Sequence, residues 1–165
     1  MIEETARLTQ QFREGLDEPE RARQWMADLM MQVYEGNKAL LQRFNALEAM
    51  QVLAAQLNER GFVAEAKELP RPQPQPEDTW GGYLYMDELQ YRVWVEWGIK
   101  DEHERHVYQV VGYSDNFNGI ETVSFGNPKD GTGDGPFSAS DLTLEKFAHT
   151  LIINFMRGTK AKEVF

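Results

Sequence analysis

The chain has no cysteine in 165 residues. That excludes a disulfide scaffold, thiolate zinc sites, iron–sulfur clusters and a cysteine nucleophile. Long apolar runs are also missing: Leu29 to Met31 and Leu151 to Ile153 are short, and none is longer than the four residues of Val52–Ala55 and Tyr83–Met86. A membrane span needs about 20 mostly apolar residues. The first residues, MIEETARLTQ, have neither a basic start nor an apolar stretch, so no secretory signal is expected and a soluble, cytoplasmic location is the reading. Positive charge is scarce, with 17 Lys and Arg against 27 Asp and Glu, a net charge of −10. Such a chain is repelled by nucleic acid and anionic membranes, so neither is expected as a direct partner. Histidine occurs three times only, which leaves little material for imidazole chemistry. What is plentiful is apolar (41%) and aromatic (12%) content, too much for a disordered chain. The length suits one domain, or one domain with a helical appendage.

The sequence divides at a proline tract. Residues 1–61 hold one proline, Pro19, and read as two to three helices. The first is expected over 2–16, with Leu8, Phe12 and Leu16 on one face. The second, over 19–35, aligns Trp25, Met26, Leu29, Met30 and Val33, with Gly36-Asn37 as its stop. The third, over 38–60, turns Leu40, Leu41, Phe44, Leu47, Met50, Leu53, Ala54 and Leu57 inward, and Gly61 caps it. Residues 62–69 fit either a short edge strand or another helical turn. With the alternate prolines 70, 72, 74 and 76 they belong to a connector, 62–79, stiff and polyproline-like at its proline-rich end.

Residues 80–165 read as an antiparallel sheet with a C-terminal helix. Leu89, Tyr91, Val93, Val95 and Trp97 alternate with Gln90, Arg92, Trp94 and Glu96, the period of a half-buried strand. Tyr83–Met86 precedes it, and Arg105–Tyr113 and Ile120–Phe125 follow. Residues 126–141 read as a long Gly-rich loop. A helix over 141–157, capped by Ser140 or Asp141, would cover the sheet, and Thr159–Phe165 would fray. The expected fold is α+β: N-terminal helices, a four-stranded antiparallel meander and a C-terminal covering helix, in one compact unit.

Motifs for chemistry are sparse. Asp130, Thr132, Asp134, Gly135 and Asp141 fall at positions 1, 3, 5, 6 and 12 of a segment that resembles an EF-hand calcium loop. Thr132 replaces an acid or amide, Asp141 is shorter than the usual glutamate, and Pro136 is foreign to the pattern. His103 and His106 are three apart, whereas the zinc-protease helix needs four. Gly112 to Asn116 lacks the closing glycine of a nucleophile elbow. The pairs Asp87-Glu88 and Asp101-Glu102 fall in expected turns, where they read as solvated charge.

Surface composition is more telling. Residues 77–104 carry eight acids against Arg92 and Lys100, among Trp80, Tyr83, Tyr85, Tyr91, Trp94 and Trp97. Aromatic anchors inside an acidic rim suit capture of a basic surface. The expected function is a non-catalytic acidic binding protein of the inhibitor, immunity or anti-defence type, needing no cofactor. Its partner-binding residues would be Trp80, Tyr83, Tyr85, Trp94, Glu96, Asp101 and Glu102. Two alternatives stand beside it: a metal-regulated module or small enzyme built on residues 126–141, and a secretion-type chaperone.

Overall fold

The computed structural model describes residues 2–15, 19–72, 90–115, 118–127 and 131–165. Contacts divide the chain into two units, one of residues 1–36 and 70–90, the other of residues 37–69 and 91–165. The first contains α1 (Ile2–Gly15) and the start of α2 (Pro19–Gln42). In it Leu8, Ala27 and Tyr34 are buried, while the stripe expected to face inward, Trp25, Leu29, Met30 and Val33, is only half-buried. Arg7 pairs with Glu4 and Asp28, and Arg71 with Glu35.

The second unit is a sheet layered with helices. Its strands are β1 (Phe62–Glu68), β2 (Tyr91–Ile99), β3 (His106–Asp115), β4 (Ile120–Asn127) and β5 (Thr132–Ser138), in the order β1-β2-β3-β4-β5 and antiparallel throughout. Among the described residues the meander thus has five strands where four were expected. Residues 62–68 take the strand option and form one edge. The other edge, β5, lies within the segment expected to be a loop. Gly126 and Gly133 are directly paired across β4 and β5, so two glycines that suggest a loop let two backbones lie flush instead. The strand expected at Tyr83–Met86 lies outside the described residues.

Alternation places Tyr91, Val93, Val95 and Trp97 of β2 on one face, where all are buried. Their partners across β3 are Gly112, Val110, Tyr108 and His106. This inner face takes the helices. α3 (Ala46–Glu59) packs on β1 and β2 and buries Met50, Ala54 and Leu57. The covering helix α4 (Leu144–Arg157) sets Phe147 against Phe125 and Phe44, and Phe155 against Trp97 and Tyr108. Each such side chain, buried, contributes about 1.5–3 kcal/mol. The Tyr108 hydroxyl donates to the Leu151 carbonyl at 3.0 Å. Burial pushes that phenol well above its ordinary range.

Helix α2 does not stop at Gly36-Asn37; it runs on to Gln42, and the break comes at Asn45, in the left-handed region at φ 52°. The reason is tertiary. Asn37 is fully buried, and its Oδ1 accepts from the Ser114 backbone N–H at 2.7 Å. One turn on, Leu41 sits against Gly112, where a Cβ would lie 2.7 Å from Leu41 Cγ. The helix cap also differs: Ala139–Asp141 is a short 3-10 turn, and Thr143 caps α4 by accepting from the Lys146 N–H at 3.0 Å. The tail is helical rather than frayed, as α5 (Thr159–Val164), with Ala161 buried and the Phe165 ring against Phe62 and Phe155.

Candidate interaction surface

The outer face of the sheet carries the other half of each strand: Val63, Glu65 and Lys67 of β1, Arg92, Trp94 and Glu96 of β2, Val107, Gln109, Val111 and Tyr113 of β3, and Thr122 and Ser124 of β4. These positions are half-buried or exposed, on the side of the sheet opposite the rings of α4. Trp94 lies mid-strand between Lys67 and Gln109, its direct neighbours on β1 and β3.

The indole is held on two sides. Its Nε1–H donates to Glu96 Oε1 at 3.1 Å, and the Arg92 guanidinium carbon stands 5.1 Å from the ring centre, a cation–π contact. Lys67 Nζ donates to the other oxygen of Glu96 at 2.9 Å. The Lys67 ammonium and then the Trp94 N–H hold the Glu96 carboxyl below the usual carboxylate range, and hydrogen bonding to Glu96 raises Lys67 above its own. The group Glu65, Lys67, Arg92 and Glu96 carries two charges of each sign, so the ground around Trp94 is neutral. A ring fixed in this way loses little rotamer freedom on binding.

Asp101 and Glu102 lie elsewhere. They occupy the turn between β2 and β3, exposed, with Asp101 left-handed at φ 71°. From Trp94 to Ile99 the strand runs five residues at about 3.3 Å each, so the turn begins roughly 17 Å away. Arg105 folds back there, donating to the Glu102 and Glu104 carbonyls at 2.6 and 3.0 Å and filling the space over Gly98. The structure therefore joins Trp94 to Glu96 and sets Asp101 with Glu102 at the sheet's end. Trp80, Tyr83 and Tyr85 lie outside the described residues.

Val107, Val111 and Tyr113 were missed by sequence reasoning. Their signal is the stretch Val107-Tyr108-Gln109-Val110-Val111, which breaks the apolar–polar alternation and marks a central strand with apolar residues on both faces.

The other motifs resolve into structural roles. Thr132 and Asp134 stand on an extended strand rather than in a wrapped loop. The Asp134 carboxylate accepts from Asn154 at 3.0 Å and pairs with Arg157, and Thr132 Oγ1 accepts from Asn127 at 3.0 Å. Asp141 lies beyond β5, exposed, in the 3-10 turn, and Asp130 lies outside the described residues. His103 is exposed in the β2–β3 turn, while His106 sits on the inner face 5.0 Å from the Trp97 ring. Among the described residues no three His, Asp or Glu side chains are grouped to hold a metal ion. Gly112 to Asp115 run straight within β3, without a strand-to-helix elbow. Among the described residues no helix is long and apolar enough to cross a membrane.

No protein-family model matches the chain, and no match to it was found among curated proteins or among solved structures.

Proposed function

We propose that this chain is a non-catalytic binding protein of the inhibitor, immunity or anti-defence type, and that the sheet face around Trp94 seats it on a basic surface of a protein partner. The observation that supports this is a half-buried indole fixed by Arg92 and Glu96 on the same sheet face as Val107, Val111 and Tyr113, opposite the rings of α4. Tryptophan on a mixed apolar and polar surface is the usual centre of a binding hot spot. The net charge of −10 acts at longer range, steering a basic partner toward the acidic β2–β3 turn at Asp101 and Glu102. Trp80, Tyr83 and Tyr85 extend the aromatic acidic segment in sequence and are included in the proposed surface.

Affinity capture with the intact chain tests the reading. At low salt it should enrich a protein with a basic surface, and retention should fall as the Debye length shrinks from about 10 Å at 0.1 M toward about 3 Å at 1 M salt. Recovery of no protein above a control column, or capture indifferent to salt, contradicts it.

A further inference from the structure

The sheet ends in two edge strands, and each turns half of its backbone N–H and C=O groups away from the ladder. At one edge, β5 carries Pro136, which has no N–H to offer, beside a register shift against β4. Both features discourage an added strand. Strand β1 has neither, and it pairs with β2 in unbroken register from Phe62 to Glu68. The Leu69 N–H donates to the Arg92 carbonyl at 2.9 Å. Antiparallel bonding alternates, so Lys67, Glu65 and Val63 also bond to β2, while Glu68, Ala66 and Ala64 turn their backbone groups outward.

At Ala64 those outward groups are already engaged. Asn58 Oδ1 accepts from the Ala64 N–H at 2.9 Å, and Asn58 Nδ2 donates to the Ala64 carbonyl at 3.0 Å. A carboxamide has the donor and acceptor of a peptide unit, so Asn58 makes the two bonds that a neighbouring strand would make. Asn58 stands in the last turn of α3, and Gly61, left-handed at φ 94°, turns the chain from there into β1.

We propose that Asn58 is an edge guard: its side chain holds the place of a sixth strand and keeps a second copy's β1 from adding to the sheet. The guard is needed because β1 is self-complementary. Two β1 strands, antiparallel about a two-fold axis at Ala66, set Glu65 against the partner's Lys67 and Ala64 against the partner's Glu68. In that register the outward-facing residues 64, 66 and 68 are the ones that bond, as their backbone requires. With Asn58 on Ala64 in each copy, only the Ala66 pair is left to bond, and Pro70 ends the strand beyond Leu69.

Amide exchange of the full wild-type chain is the first test. The Ala64 N–H should exchange about five- to tenfold more slowly than those of Ala66 and Glu68, which face the same edge. Sedimentation equilibrium of Asn58→Ala is the second. Its average mass should exceed that of wild type at equal concentration, rising from 19.1 kDa toward twice that figure or beyond, with the Ala66 amide now slowed. Adding Ala66→Pro removes the central outward N–H, a change an edge strand tolerates, and should restore the wild-type mass. That rescue separates edge pairing from a general loss of stability. Equal exchange at Ala64, Ala66 and Glu68 in the wild type, an Asn58→Ala chain no more associated than wild type, or association that Ala66→Pro leaves unchanged would overturn the proposal.

Discussion

Replacing Gly112 by alanine tests how α2 is registered on the sheet. The added Cβ would stand 2.7 Å from Leu41 Cγ, 3.0 Å from its Cδ2 and 3.3 Å from the Asn37 carbonyl. Cγ is the branch carbon of a side chain only 1% exposed, so no flexible end can swing aside. Overpacking of this kind costs about 1–3 kcal/mol. Against it, alanine is favoured over glycine in a strand by about 0.5–1 kcal/mol. The net loss expected is roughly 1–2 kcal/mol. With a urea slope of about 2 kcal/mol/M, the unfolding midpoint should fall by roughly 0.5–1 M. Leu41→Ala alone should lose about 2–5 kcal/mol through the cavity it leaves. In that background the methyl that Gly112→Ala adds enters vacated space, so the second substitution should be neutral or favourable, a coupling of about 1–3 kcal/mol. Equal losses in the two backgrounds, or a Gly112→Ala chain as stable as wild type, would refute the helix register.

Three further outcomes follow from the electrostatics. Glu96 is held below its ordinary value of 4.5, so its contribution to stability is full above that pH and is lost as pH falls through the lower folded-state value. Glu96→Gln should flatten the acid limb of the stability curve, and the Trp94 indole N–H resonance should titrate below pH 4.5 in the wild type only. Tyr108 is raised above 10.0 by burial, so the unfolded chain ionises first and stability falls as pH rises past that value. Tyr108→Phe should remove that part of the alkaline loss, at about 0.5–1.5 kcal/mol for the hydrogen bond to Leu151, read by urea titration at two pH values. Asp134→Ala strips the partner from the buried Asn154 amide and from Arg157. Amide exchange along β5 should accelerate, with about 1–3 kcal/mol lost overall; unchanged β5 protection would show that the tie is not holding the edge strand.

The elements best legible in the sequence are those decided by burial of one face. Tyr91 to Trp97 alternate because one side meets α3 and α4, and that period survives without knowledge of the partners. Phe147, Leu151 and Phe155 announce α4 in the same way. Gly36-Asn37 misleads because its local turn preference is overridden by a distant group: Asn37 satisfies Ser114 across the unit. Residues 126–141 mislead because glycine and aspartate report φ tolerance, while strand pairing with β4 decides the conformation. At the candidate surface, alternation places Trp94 and Glu96 outward together. Their contacts with Lys67 and Arg92 depend on cross-strand register, which only the folded sheet supplies. That register also makes the ground beside the ring neutral where the linear count is acidic.

On the proposed function, Trp94 anchors a protein partner. With the captured partner in hand, titration calorimetry of wild type against Trp94→Ala tests it most directly, circular dichroism confirming that both are folded. A hot-spot tryptophan contributes about 2 kcal/mol or more, so the variant should bind roughly 30-fold weaker. An affinity within about twofold of wild type, a difference near 0.4 kcal/mol, would place the partner on some other surface.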